Sequence, residues 1–262
     1  MDKPLTLFSR LVLIGAGGLA ILAGPVLYFF PYNTETYFAW TIAHPLTPVY
    51  MGASYFAGIG NLIAIKENRW SLARVQMPAI LTFATTMLIA TLLHIPIFNW
   101  SHPIAWAWLA VYVLSPIGAT IVMIQQERGF TVPEFDSQKL PASFSTVMRV
   151  LAILNLVIGF GLFFLPSIFS AYWAWSLTLL TSRVIGGWYL SSVALQWFLS
   201  QQRTLHTARV GLIANVLVTS LLVLGAFLHF DNLDGPSISV WGYLTLNAIL
   251  GGFSLYSLLK SK

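Results

Sequence analysis

The chain has 262 residues, of which 57% are hydrophobic, 15% are aromatic and only 8% are charged. A typical soluble protein has about 25% charged residues, so this composition excludes an ordinary soluble fold and favours a multi-spanning membrane protein. The chain has no cysteine, which excludes disulfides, thiolate catalysis and cysteine-ligated metal or iron–sulfur sites.

Eight apolar segments follow one another, each close to the roughly 20 residues that cross a bilayer. Each must be a helix, because backbone groups in lipid have no water to bond. We interpret the first as a span rather than a signal peptide, because no clean cleavage site follows it and it aligns with the fifth. The short fifth and long sixth segments predict tilts or kinks. The predicted spans are Leu11–Phe30, Tyr37–Ile65, Val75–Phe98, Ile104–Gln125, Val150–Pro166, Tyr172–Leu199, Val210–Phe230 and Val240–Leu259.

The chain also aligns with itself, without a gap, when it is displaced so that Pro31 lies over Pro166. We therefore predict a tandem duplication, with a four-helix repeat at residues 1–128, a linker at 129–148 and a second four-helix repeat at 149–262. The same displacement matches Trp40 with Trp175, Gly52 with Gly187, Arg74 with Arg209, His94 with His229 and Trp106 with Trp241.

Lysine and arginine are distributed unevenly between the two ends of the spans. When the spans are threaded alternately, all but one of the 13 fall on one side, which places both termini in the cytoplasm by the positive-inside rule. Four helices is an even number, so we expect parallel repeats related by a pseudo-twofold axis along the membrane normal. The predicted cytoplasmic residues are Lys3, Arg10, Lys66, Arg69, Arg74, Arg128, Lys139, Arg149, Arg203, Arg209, Lys260 and Lys262.

These patterns predict an all-α integral membrane protein of eight helices, and we expect it in the cytoplasmic membrane of a bacterium. The net charge of +5 then reflects membrane insertion and not a nucleic-acid surface. The expected partners are membrane lipids and other membrane subunits, and no nucleic acid.

Arg183 is the one basic residue inside a predicted span. It lies eight residues inside Trp175, about 12 Å along the sixth helix, where a charge facing lipid costs at least about 2.5–3.5 kcal/mol. No Asp or Glu lies at a matching depth in any predicted span. We therefore expect Arg183 to bond helix carbonyls, to bind an anionic group or to reach outward toward Glu35.

A second polar stretch aligns with Arg183 in the first repeat. Pro45 and Pro48 should kink or open the second helix there, because proline removes backbone donors. If the pseudo-axis passes near the second and sixth helices, their polar residues face each other across a cavity in the outer half of the bilayer. The predicted ligand-binding residues are Arg183, His44, Thr41, Thr47, Ser176, Thr181 and Ser182.

His94 and His229 form a symmetric pair at the predicted outer ends of the third and seventh helices. Neutral imidazole is the commonest metal ligand, so the two could ligate a haem, a pigment or a metal. The simpler interpretation is a helix-end histidine bonded to a neighbouring loop.

Three functions follow from these observations. The first hypothesis is a protein that binds or transports a small hydrophobic or amphipathic, anionic molecule. The alternatives are a haem-, pigment- or metal-binding redox subunit using His94 and His229, and a non-catalytic structural subunit of a larger membrane complex. The sequence has no phosphate-binding glycine loop, HExxH pair, GxSxG serine or intramembrane carboxylate, which argues against an enzyme or a proton pump.

Overall fold

The computed structural model describes residues 2–135 and 138–260, and within these ranges the fold is all-helical. The described residues contain no β-strand, only an isolated bridge between Lys139 and Thr204. The predicted all-helical class is therefore confirmed. Of the residues in the predicted cytoplasmic set, Lys262 lies outside the described ranges.

Eight long helices, numbered in chain order, make up most of the fold. Short helices at Thr34–Tyr37, Trp70–Ala73 and Pro166–Phe169 and 3₁₀ turns at Ile95–Ile97, Ser170–Tyr172 and Phe230–Asn232 lie in the connections, and the turn Phe56–Gly58 interrupts α2. The long helices are α1 Leu7–Phe29, α2 Leu46–Glu67, α3 Met77–Leu93, α4 Pro103–Glu127, α5 Phe144–Phe164, α6 Leu179–Leu199, α7 Leu205–Leu228 and α8 Ser237–Lys260.

Six of these helices, α1, α2, α4, α5, α7 and α8, are long and apolar enough to cross a membrane. The helix α3 is apolar but has 17 residues, and α6 has 21 residues and carries Arg183. The outer faces of the bundle are rich in exposed apolar side chains, such as Leu22 at 72% and Leu114 at 65% exposure. Such a surface is suited to lipid rather than to water, as in a multi-spanning membrane protein.

The second and sixth helices begin later than the sequence predicts. Residues 38–45 are not helical, and α2 begins directly after Pro45. Residues 173–178 are not helical either, and α6 begins where Thr178 and Thr181 form a capping box, which satisfies free backbone donors. Arg183 therefore lies about one turn from the start of α6 and not about 12 Å along an unbroken helix.

The helices pack first in sequential pairs. α1 packs on α2, α3 on α4, α5 on α6 and α7 on α8, while α3 packs against α6 and α2 against α7 across the middle of the chain. The contact between α1 and α2 depends on Gly24 and Gly52, since a Cβ at Gly52 would lie 2.6 Å from the backbone nitrogen of Tyr28. Gly159 and Gly186 make the corresponding close approach between α5 and α6.

Two sets of aromatic rings have the same arrangement at positions that the self-alignment of the sequence makes equivalent. In the first set, edge-on packing brings the centroids within 4.7–5.4 Å of one another. In the second, the centroids lie 5.3–5.9 Å apart, again edge to face. The first set is Phe38, Trp40 and Trp108, and the second is Trp173, Trp175 and Tyr243.

Backbone hydrogen bonds also recur at equivalent positions. The N–H of Trp70 donates to the carbonyl of Lys3 at 2.9 Å, and the N–H of Leu205 donates to the carbonyl of Gln138 at 2.8 Å. Each bond ties the segment before the first helix of one half to the start of a later helix in that half.

Most ion pairs of the described residues lie at one end of the bundle, which we call the basic end. There the Arg74 guanidinium donates to both carboxylate oxygens of Glu127, at 2.8 and 3.1 Å, and Arg209 pairs with Glu67. The Lys3 ammonium donates to the carbonyl of Gln126 at 2.9 Å. The opposite end, which we call the aromatic end, carries the ring sets and His94.

Candidate functional site

A cavity of about 540 Å³ lies between the helices and receives side chains from all eight of them. Its wall is mainly apolar and aromatic. No Asp, Glu, Lys, Arg or His is among the described residues that line it. The aromatic lining residues are Tyr37, Phe38, Tyr50, Tyr55, Phe83, Trp108, Tyr112, Trp188 and Tyr189.

The aromatic side chains are fixed by one another. The hydroxyl groups of Tyr55 and Tyr112 are 2.9 Å apart and form a hydrogen bond between α2 and α4. The ring of Trp188 packs against Phe83 with centroids 3.8 Å apart, and against Tyr55 at 5.2 Å. Such pairs contribute about 0.5–1.5 kcal/mol beyond the area they bury, so this part of the wall is preformed.

Five carboxamides are the most polar part of the cavity wall: Asn61, Gln76, Asn155, Asn215 and Asn247. Three of them already donate hydrogen bonds. Asn155 Nδ2 donates to the Gln196 side-chain oxygen at 2.7 Å, Asn247 Nδ2 to the Tyr243 carbonyl at 2.8 Å, and Asn215 Nδ2 to Ser254 at 3.4 Å. Asn61 Oδ1 and Gln76 Nε2 are buried and have no hydrogen-bond partner in the part of the chain that the structure describes.

The central cavity is not closed. Leu22 and Val26 of α1 and Ile104 of α4 line it, yet these residues are 72%, 38% and 41% exposed. The cavity therefore has a mouth between α1 and α4. The outer surface around this mouth is apolar, so the mouth faces the region that lipid would occupy.

Three of the predicted ligand-binding residues, His44, Ser176 and Thr181, meet at a smaller cavity of about 240 Å³ at the aromatic end. The Asp234 carboxylate accepts hydrogen bonds from the Ser176 N–H and O–H, both at 2.8 Å, and lies 3.8 Å from His44 Nε2. Burial lowers the pKa of His44, while the Asp234 carboxylate and a backbone hydrogen bond at Asn232 partly offset this effect.

Arg183 does not line either cavity. Its Nη1 lies 2.7 Å from Nε2 of His94, at the end of α3. A guanidinium can only donate, so His94 accepts and must be neutral in this contact. Burial, and secondly the charge of Arg183, lower the pKa of His94. The expected reach of Arg183 toward Glu35 is not among the ion pairs of the described residues.

The remaining predicted ligand residues lie apart from one another. Thr47 is buried and accepts a hydrogen bond from the Trp175 indole at 3.0 Å. The Ser182 hydroxyl donates to the carbonyl of Leu162 at 2.9 Å. Thr41 is exposed and lines neither cavity. The structure thus divides the predicted set between the small cavity, the Arg183–His94 contact and helix packing, and leaves Thr41 on the surface.

The two symmetric histidines contact different residues. His94 is bonded to Arg183, and His229 Nδ1 lies 3.3 Å from the hydroxyl of Tyr32. The described part of the chain holds no group of three or more His, Asp or Glu that could bind a metal ion. His229 therefore contacts a residue outside the helices, whereas His94 contacts a residue of α6.

Sequence reasoning missed the carboxamides of the central cavity. Their signal was an isolated Asn or Gln in an otherwise apolar helix, as at Asn61, Asn155 and Asn247. A carboxamide is costly in lipid, so it must face protein or a cavity. Comparison with protein-family models, with curated proteins and with solved structures found no match.

Proposed function

We propose that this protein is a multi-spanning membrane protein that binds a small, neutral and mostly apolar molecule in its central cavity, for storage or for transport. The observation that carries the proposal is the cavity itself: about 540 Å³, apolar and aromatic, and free of charged residues among those described. Ligand sites in proteins are concave and apolar with a few placed polar groups. The absence of a lining cation favours a neutral ligand over the anionic one expected from Arg183.

We also propose that eight helices span the membrane as two parallel repeats with cytoplasmic termini. The matching ring sets, the hydrogen bonds that recur at equivalent positions and the clustering of ion pairs at the basic end support this arrangement. The proposed location is a bacterial cytoplasmic membrane, with lipids and other membrane subunits as partners.

The binding proposal is tested with tritiated dodecane and protein reconstituted in lipid nanodiscs, with empty nanodiscs as background. Ala57 lines the cavity and Leu114 faces outward at 65% exposure. We expect saturable binding that Ala57→Phe abolishes by filling the cavity, while Leu114→Phe leaves it unchanged. Binding that stays equal in both variants, or no saturable binding by the wild type, would refute the proposal.

A second candidate is an anion site at Arg183, which would bind a lipid headgroup or a free anion. It is favoured by the pairing of the guanidinium with a neutral imidazole, with no carboxylate partner among the described residues. Arg183→Leu should then reduce the anionic lipid that co-purifies with the protein. An unchanged lipid content would count against this site.

A further inference from the structure

Two of the cavity carboxamides have a buried polar atom that no described residue satisfies. Asn61 is 3% exposed and Gln76 is 5% exposed, and both line the central cavity. Among the described residues, Asn61 Oδ1 is an acceptor without a donor, and Gln76 Nε2 is a donor without an acceptor. Buried polar atoms are almost always paired, and an unpaired one loses its full solvation free energy.

The two carboxamides belong to the same part of the cavity wall. Gln76 Nε2 lies directly against Gly60, where a Cβ atom would overlap it, and Gly60 precedes Asn61 on α2. The absence of a side chain at Gly60 is what allows the Gln76 carboxamide to approach α2. The two carboxamides therefore lie at the same level of α2.

The chemistry of the two atoms defines the group that would satisfy them. It must donate a hydrogen bond to Asn61 Oδ1 and accept one from Gln76 Nε2. A hydroxyl or an amide does both, whereas an ether or a ketone only accepts. A carboxylate also only accepts, and the described lining offers no cation to balance its charge.

We infer that the ligand is an apolar molecule with a single hydroxyl or amide group, held by Asn61 and Gln76. This inference rests on the proposed binding function of the central cavity. The apolar part of the ligand would lie along the aromatic wall. The polar group would anchor it at α2 and α3.

The experiment compares four probes of equal chain length on reconstituted wild-type protein: 1-dodecanol, dodecyl methyl ether, dodecane and laurate. We expect 1-dodecanol to bind about tenfold more tightly than dodecane, since two neutral hydrogen bonds contribute about this factor. The ether, which can accept from Gln76 but cannot donate to Asn61, should lie between them. Laurate should bind more weakly than 1-dodecanol. Affinities are compared after correction for partitioning into empty nanodiscs.

The variants Asn61→Leu and Gln76→Leu should remove the preference for 1-dodecanol over dodecane. Gln126→Leu is the matched control, because its buried carboxamide lies outside the cavity and donates to the Ser9 hydroxyl at 3.0 Å; it should keep the preference. Equal wild-type affinity for 1-dodecanol and dodecane would overturn this inference and leave the proposed function standing. If none of the four probes bound, both this inference and the proposed function would be overturned. The comparison of probes on the wild-type protein decides the question even if a variant does not fold.

Discussion

The Arg183 guanidinium donates to Nε2 of His94 over 2.7 Å and joins α6 to the end of α3. The contact explains how a cation is accommodated in an otherwise uncharged helix. Because the acceptor is an uncharged imidazole, the pair keeps its positive charge, and its stability depends on the protonation of His94.

The first prediction is a loss of stability at acidic pH that depends on His94. Burial and Arg183 lower the pKa of His94 in the folded protein, so the unfolded chain takes up the proton first as the pH falls. The free energy of unfolding should therefore decrease as the pH falls below about 6.5. His94→Gln, which does not titrate, should show a flatter profile in thermal unfolding between pH 5 and 7. His44 contributes a slope of the same sign to the pH dependence of both proteins, so the difference between them isolates His94. If the free energy of unfolding fell equally steeply with pH in the wild type and in His94→Gln, the prediction would be contradicted.

The second prediction concerns the close approach of α1 and α2 at Gly52. A Cβ there would lie 2.6 Å from the backbone nitrogen of Tyr28, so Gly52→Ala must separate the helices. We expect the free energy of unfolding to fall by about 1–3 kcal/mol, which would appear as a lower midpoint of thermal unfolding in detergent. Gly252→Ala on α8 is the control, because its Cβ would meet nothing within 4 Å. A Gly52→Ala protein as stable as that control would show that the helices do not approach in this way.

The third prediction compares two tryptophans at equivalent positions of the two halves. The Trp175 indole donates to Thr47 at 3.0 Å, whereas the Trp40 indole nitrogen is buried and finds no partner among the residues described. Replacement by phenylalanine removes a similar ring volume from each, but only Trp175→Phe breaks a hydrogen bond. We expect Trp175→Phe to lower the free energy of unfolding by about 1 kcal/mol more than Trp40→Phe does, as measured by thermal unfolding. The difference should disappear when Thr47 is changed to valine, and its persistence there would assign it to packing instead.

The fourth prediction concerns orientation in the membrane. The natural absence of cysteine allows single cysteines to be introduced without background labelling. Asp231 at the aromatic end and Lys139 in the linker are both exposed. In intact cells a membrane-impermeant maleimide should label Asp231→Cys, and should label Lys139→Cys only after permeabilisation. The reverse pattern would place the basic end outside the cell.

The sequence predicted the helices better than their boundaries. Long apolar runs leave the backbone no alternative to helix in lipid, and each of the eight predicted segments overlaps one long helix. The starts of α2 and α6 were misjudged, because the polar and aromatic residues 38–45 and 173–178 have no hydropathy signal that separates a span from an ordered loop. The depth assigned to Arg183 was wrong for that reason.

The candidate site was less predictable, because it depends on which helix faces meet. Aligning the halves drew attention to Arg183 and His44, where they differ. The central cavity instead depends on the packing of α3 against α6 and of α2 against α7. No local sequence pattern predicts these helix pairings. Asn61 and Gln76 were visible as isolated polar residues, but their lack of partners is a property of the packed structure.

The mouth between α1 and α4 has a consequence for how occupancy should be measured. A molecule that enters past Leu22 and Ile104 is drawn from the lipid phase and not from water. The fraction of occupied cavities then depends on the moles of ligand per mole of lipid. Adding protein-free vesicles at a fixed total amount of ligand would therefore dilute the ligand in the lipid and empty the cavity. An affinity stated per volume of buffer would change with the amount of membrane in the sample, whereas one stated as a mole fraction in lipid would not.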